Sequence, residues 1–513
     1  MRSLLASVVA GAASVAGFAP FGLWPLPVLG LAVLFAQLAR TSSMRAGFLT
    51  GLAWGLGFFL AGVSWVYVSL SVYGGMPAWL AGLATFLFCG FLALFPAAVG
   101  AVQARWPGSP ASRLLLLMPL AWGVGEWTRG WIFTGFPWLA MGYAQVPGGP
   151  LAGYAPLVGV YGVSYLLAVI AALLAWAATA RASLPPRLWA AAAAVALAVG
   201  GQALAGIRWT VPEGAPTSVA LLQGNIPQDM KWRPEKTRET LMRYARMAAA
   251  SPARLIVLPE TALPLFESDL PEAYREGLDA LGRRNGGDIL TGLPTGSLDG
   301  AYYNSVVSFG RAPSQRYSKV HLVPFGEYIP LKAAWGWIIE VLHIPLSDFA
   351  RGAADQRPLA IGGQRVAADI CYEDAFGEEI IRQLPEASVL ANVSNLAWFG
   401  DSLAPWQHAQ MSQMRALETG RMMLRATNTG LTAIIDTRGR IVASLPLFTA
   451  GSLGGRVQGY AGSTPYVRWG NAPVLAFWGL LGVGLLTATL YPRGAGRGRT
   501  AAKAAPATLR RRP

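Results

Sequence analysis

Three side chains in the polar middle of this chain could together carry out covalent chemistry. Glu260 follows Leu-Pro in LPETALP, Lys319 stands in YSKVHLVPFGEYIP, and Cys371 follows Ala-Asp-Ile in ADICYED. A carboxylate, an ammonium and a thiol are what acyl transfer needs: a base, a cation to face the oxyanion of a tetrahedral intermediate, and a nucleophile. A thiol titrates near about 8.5, so at neutral pH a neighbouring base or positive field has to raise its reactive fraction. Taken singly, each residue has an ordinary reading. A Glu after Leu-Pro is commonly a carboxylate at a helix start, a loop lysine is usually solvated, and a Cys after Ala-Asp-Ile is most often a small buried hydrophobe.

The surroundings of these residues read as a soluble fold. Short apolar runs bounded by turn residues, at Ser218 to Leu222, Leu255 to Leu258, Ile289 to Leu293, Ser305 to Phe309, Val366 to Cys371, Ser388 to Val393 and Leu431 to Ile435, predict buried strands. Pro234 to Met247, Pro271 to Arg284 and His408 to Arg421 predict charged amphipathic helices. Strands mixed with helices predict one α/β domain with helix layered over sheet, and they put the three candidates at strand ends or tight turns. Cys89 lies in a long apolar run and Cys371 in the polar block, so no structural disulfide is expected. Neither cysteine, nor His321, His343 or His408, shows the spacing of a zinc site, and no metal or other cofactor is predicted.

The rest of the chain belongs to a membrane. Of 513 residues, 53% are hydrophobic and 13% charged, about half the charge of a typical soluble protein, and the mean hydropathy is +0.40. Intrinsic disorder is excluded for most of the length. The formal net charge is +15, yet only Glu126 among the acids precedes Glu213 and none follows Asp436. The net charges are +8 up to residue 212, −1 from Glu213 to Tyr460 and +8 beyond. The basic excess therefore lies in the hydrophobic flanks, and the near-neutral block offers no cationic footprint for nucleic acid.

Gly47 to Leu70, Ala78 to Val102, Leu157 to Ala180 and Ala472 to Tyr491 each supply the roughly 20 apolar residues that a span requires. Leu4 to Phe21, Leu23 to Ala39, Leu188 to Gly206 and the shorter Leu114 to Trp127 bring the expected total to eight, with Pro25 and Pro27 making the second irregular. Trp131 to Tyr143 is expected to be re-entrant or interfacial, and Glu126 with Arg129 is expected to form an interfacial ion pair. Arg40 with Arg45, Arg105 with Arg113, and Arg181 with Arg187 fall in alternate connections, as the positive-inside rule requires of a cytoplasmic N-terminus. Arg2 and the apolar start mimic a secretory signal, but the spans that follow predict a retained anchor. The expected organisation is a transmembrane domain over 1–210, an extracytoplasmic domain over 211–468, a final span over 469–491 and a disordered basic cytoplasmic tail over 492–513. In a double-membrane bacterium this is an inner-membrane protein facing the periplasm.

On these motifs the chain resembles the nitrilase, or carbon-nitrogen hydrolase, superfamily, whose Glu-Lys-Cys triad occurs in this order. More narrowly it resembles the apolipoprotein N-acyltransferase family, through QGNIPQDMKW (Gln223 to Trp232), LPETALP (Leu258 to Pro264), YSKVHLVPFGEYIP (Tyr317 to Pro330), CYED (Cys371 to Asp374) and a nitrilase-like block set before a final span. The resemblance runs to about Tyr491. It implies an αββα sandwich beside the membrane helices, with Cys371 as nucleophile, Glu260 as general base and Lys319 as stabiliser of the tetrahedral intermediate. Glu327 matches a further family glutamate, which orients Lys319 or tunes its charge, although by itself it reads as a loop salt bridge. Tyr372 and Glu373 match positions important for activity and would shape the acyl pocket. Trp232 matches a tryptophan implicated in substrate handling, with an interfacial anchor as the plain alternative, and Asn304 in YYNS is a candidate for the pocket wall.

The implied reaction is ping-pong. Cys371 takes the sn-1 acyl chain of a phospholipid, typically phosphatidylethanolamine, as a thioester, and the α-amino group of a diacylglyceryl-cysteine at the start of an apolipoprotein then receives it. Drawing acyl chains into water costs about 0.8 kcal/mol per CH₂, so the site must open at the bilayer surface. A membrane-tethered amidase or nitrilase acting on a small amide would use the same triad but leave the spans unexplained. A transporter or receptor with a binding module would be expected to carry ionisable residues within its spans, where only the acid Glu126 occurs.

Overall fold

The computed structural model describes residues 2–179, 184–330 and 348–490. The basic tail, Arg181 and His343 lie outside them. Seven helices come first: α1 (Arg2–Ser14), α2 (Pro25–Leu38), α3 (Met44–Val63), α4 (Ala78–Arg105), α5 (Met118–Arg129), α6 (Ala155–Thr179) and α7 (Leu184–Leu204). Among the described residues, α3, α4, α6 with the turn before it, α7 and the last helix, Ala472–Leu490, are long and apolar enough to cross a membrane. α1 and α2 are shorter, and α5 is preceded by the turns Pro110–Ser112 and Arg113–Leu117. α3 and α4 approach closely because Gly47, Gly51 and Gly55 recur every four residues on one face. A Cβ at Gly51 would stand 2.2 Å from the carbonyl oxygen of Pro96, so only glycine permits the contact.

The stretch after α5 is not a span: Trp131 and Phe133 are exposed, and the chain then turns inward. Two short turns, Ile132–Thr134 and Met141–Gln145, flank a buried passage in which Trp138, Leu139 and Ala140 are at most 3% exposed. Irregular backbone is tolerated there because protein covers it. Glu126 and Arg129 serve this passage instead of pairing with one another. The Glu126 carboxylate accepts from the Met141 amide at 3.1 Å, and Arg129 Nη1 donates to the carbonyls of Phe136 and Trp138 at 2.6 and 2.7 Å.

The polar block folds into two six-stranded sheets. The first contains β1 (Thr210–Gln223), β2 (Leu255–Val257), β3 (Asp288–Gly296), β4 (Tyr302–Gly310) and β5 (Arg316–Ser318). The second contains β6 (Leu359–Ile361), β7 (Gln364–Ile370), β8 (Val389–Ser394), β9 (Met423–Thr427), β10 (Ala433–Ile435) and β11 (Ile441–Ser444), while β12 (Gly451–Gly462) returns to pair with β1. The neighbour orders are β12-β1-β2-β3-β4-β5 and β11-β10-β9-β8-β7-β6. In each sheet three central strands are parallel, β1-β2-β3 and β7-β8-β9, with antiparallel strands outside them.

Alternation along the strands builds the layers. Val219, Leu221, Val257, Val366, Ala368 and Ile370 face the gap between the sheets. On the outer side of the first sheet, Ala220 and Leu222 meet Leu241 of α8 (Pro234–Ala250) and Leu278 of α9 (Glu272–Arg284). On the outer side of the second, Ala367 and Leu390 meet Ala416 of α10 (Ala404–Thr419). The result is helix, sheet, sheet, helix. α10 differs from its amphipathic expectation in being buried almost all round, because Met411 and Met414 pack into the core of the membrane helices while Ala416 faces the sheet.

Candidate active site

Glu260 follows β2, Lys319 follows β5 and Cys371 follows β7. Two of these strands end in the parallel centre of their sheets, where carboxyl-terminal strand ends leave a crevice. Lys319 is 1% exposed, and its Nζ donates to Glu327 Oε1 at 2.9 Å and to Glu260 Oε1 at 3.3 Å. Asn304 bridges the same two carboxylates, donating to each at 2.8 Å, while its carbonyl accepts the Lys319 amide at 2.8 Å. The second oxygen of Glu260 accepts the Asn395 amide at 2.8 Å, and that of Glu327 accepts the Val323 amide at 2.8 Å. The Glu260 carboxylate is close enough to Cys371 for its charge to act on the thiol.

These contacts fix the resting protonation. Burial opposes the charge of Glu260, but Lys319, Lys231 and the hydrogen bonds from Asn304 and Asn395 outweigh it and hold the carboxyl below its usual range. Burial likewise opposes the Lys319 ammonium, and the charges of Glu327 and Glu260 more than compensate, so its proton is held firmly. Burial, then the charge of Glu260, push the Cys371 thiol up. The resting pair is therefore a thiol facing a carboxylate.

Cys371 has a backbone φ of 55°, in the left-handed region that a side chain resists by about 1–2 kcal/mol. The turn is held from two sides. Glu373, 1% exposed, accepts the Ile370 amide at 2.7 Å with one oxygen and the Val320 and His321 amides at 2.6 and 3.0 Å with the other. It thereby ties the segment bearing Lys319 to the turn bearing Cys371. On the other side, the Cys371 carbonyl accepts from His408 Nε2 at 2.9 Å and from Asn392 Nδ2 at 3.3 Å. Arg425 Nη2 lies 2.8 Å from His408 Nδ1, and because a guanidinium can only donate, the imidazole proton must reside on Nε2. Burial and the Arg425 charge keep that ring neutral.

Tyr372 turns toward the membrane helices, its hydroxyl donating to the Gly135 carbonyl at 2.9 Å. Trp232 is half-buried at the end of the turn Gln228–Lys231, with no hydrogen bond or ring contact to the triad among the described residues. The seven other expected residues, Glu260, Lys319, Cys371, Glu327, Tyr372, Glu373 and Asn304, lie at or next to one centre.

Two family models cover the chain: the apolipoprotein N-acyltransferase N-terminal domain over residues 10–173 and carbon-nitrogen hydrolase over residues 218–466. The apolipoprotein N-acyltransferase of Nitrosomonas europaea is 53% identical over 487 residues, 93% of this chain and 96% of that relative. That of Chromobacterium violaceum is 48% identical over 93% of this chain and 92% of its own length. This chain belongs to the apolipoprotein N-acyltransferase family. Among solved structures, an amidase of the nitrilase superfamily from Nesterenkonia AN1 is 19% identical with a TM-score of 0.38, over 52% of this chain and 99% of that one.

In this family member, sequence reasoning passed over several residues of the site. Lys231, next to the singled-out Trp232, is a buried member of that motif, 3% exposed, with Nζ donating to the Glu260 carbonyl at 3.1 Å. Its place between Met230 and Trp232 was the available signal. His408, Asn392, Asn395 and Arg425 carried no comparable signal, since their partners lie far away in sequence.

Proposed function

We propose that this chain transfers an acyl chain from a phospholipid to the α-amino group of a diacylglyceryl-cysteine at the start of an apolipoprotein. The observation that carries the reading is the buried Glu260–Lys319–Glu327 cluster set against a strained Cys371, on a domain whose nucleophile turn docks onto apolar helices. The proton of Cys371 passes to Glu260 as sulfur attacks the ester carbonyl, and Lys319 faces the oxyanion. Glu260 then protonates the departing lysophospholipid oxygen, leaving a thioester. The incoming amine attacks that thioester, and the sulfur recovers a proton through Glu260. Because the resting thiol is held protonated, transfer is coupled to attack, with no stored thiolate.

The proposed membrane arrangement has eight spans: the five long helices, α1, α2, and α5 with the turns before it. The catalytic domain, over 211–468, faces the periplasm, and both ends of the chain lie in the cytoplasm. The alternating arginines support that orientation. Phosphatidylethanolamine is the proposed donor.

The test is incubation of the purified protein with phospholipid alone, followed by mass measurement of the peptide containing Cys371. An acyl adduct on Cys371, absent from Cys371→Ala, is expected. Release of lysophospholipid without such an adduct would overturn the reading.

A further inference from the structure

The triad and Glu327 leave one buried lysine of the site, whose charge helps to hold Glu260 ionised, without a part in bond making or breaking. Lys231 donates from Nζ to the main-chain carbonyl of Glu260 at 3.1 Å and is 3% exposed. Lys319 is locked as a cation by two carboxylates, at 2.9 and 3.3 Å. Lys231 has a neutral oxygen in their place, so no direct ion pair retains its proton. The charge that bears on it is that of Glu260, with Cys371 nearby as a neutral thiol and with Lys319 and Glu327 joined at the Glu260 carboxylate and through each other, while Asp229 of its own turn is exposed. Burial lowers its ammonium to about 8, against the opposing charge of Glu260.

The second half-reaction of the proposed transfer, on which this inference rests, needs such a group. An α-amino group titrates near about 7.7–8.0, so much of the acceptor arrives as an ammonium ion. It must lose two protons to become an amide. Glu260 can take one and return it to the sulfur, and Lys319, already protonated, cannot take the other.

We propose that Lys231, buried beside Glu260 with no carboxylate bonded to its Nζ, takes this first proton, which makes it a catalytic residue of the aminolysis step. The acceptor ammonium gives one proton to Lys231 Nζ, and the freed nitrogen lone pair forms the C–N bond as the carbonyl π pair moves to oxygen. The second N–H proton goes to the Glu260 carboxylate. The oxyanion collapses, the C–S bond breaks, and Glu260 protonates the leaving sulfur. Lys231 then returns its proton to water.

The experiment uses the full chain in phospholipid micelles. The acyl-enzyme is formed first and then chased either with a diacylglyceryl-cysteinyl peptide or with hydroxylamine, which is uncharged at neutral pH and needs no such acceptor. Lys231→Met and Lys231→Arg are compared with the unaltered protein, arginine keeping the charge but never giving up its proton. In both variants the ratio of peptide rate to hydroxylamine rate is expected to fall at least tenfold near neutral pH and to recover as rising pH deprotonates the peptide in solution. A Lys231→Arg ratio equal to that of the unaltered protein would mean that only the charge matters, and the proposal fails. Equal slowing of both chases would mark a structural role and also overturns it. If the unaltered protein forms no acyl adduct at all, the acyl-transfer reading is what fails, and this proposal falls with it.

Discussion

Cys371 and Glu260 rest in the protonation states that precede reaction, and the charge of Glu260 helps to keep the thiol protonated. The negative charge of Glu260 discourages a thiolate, while Lys319 encourages one. In Glu260→Gln the discouraging charge is gone and the ammonium remains, so the pH midpoint of Cys371 alkylation by iodoacetamide should move down. Acyl transfer should nevertheless drop by about 10²–10⁴-fold, because the proposed base is lost. A midpoint that stays or rises would contradict this balance of charges. The triad was legible because three reactive residue types stand in short, distinctive runs. The support of Cys371 was not, because its carbonyl is held by His408 and Asn392 from α10 and β8, contacts that exist only once the chain has folded.

α10 shows how an element can mislead at the sequence level. Its charged and amide residues suggest a solvated face, yet Gln407 accepts from the indoles of Trp65 and Trp138 at 3.1 and 2.7 Å, and Glu418 accepts the Val160 amide at 2.7 Å, so polarity is spent on joining two domains. Burial lifts the Glu418 carboxyl from about 4.5 to about 7, with Arg415 opposing the shift. The folded protein therefore holds a proton there that the unfolded chain has released. This contribution is complete below about pH 4.5 and is lost as pH climbs through about 7. Thermal denaturation in detergent between pH 5 and pH 8 should show the melting temperature falling with rising pH, and Glu418→Gln should flatten part of that slope. The central strands were readable as apolar runs. β12 was not, since GSLGGRVQGYAG has five glycines and its order comes from pairing with β1.

At the scale of the molecule, the α/β domain does not end at its own surface. Tyr372, Ala375, Phe376, Met411 and Met414 belong to the same buried cluster as the membrane helices. A fragment spanning 210–466 would expose them together with the turn that carries Cys371, the proposed nucleophile. Expressed alone, it should aggregate or require detergent during size-exclusion chromatography, and it should form no acyl adduct; a monodisperse, acylating fragment would show that the helices are only a tether. The two-domain organisation was visible in the distribution of acidic residues, whereas Trp131 to Tyr143 read as re-entrant or interfacial and gave no sign of the buried seat that 137–145 forms. The left-handed turn at Cys371 bears on the durability of the whole fold. Every replacement that keeps a Cβ inherits the strain and glycine alone sheds it, so among inactive forms Cys371→Gly should outlast Cys371→Ala by about 1 kcal/mol. The cysteine at this position therefore costs the fold stability that a glycine would restore.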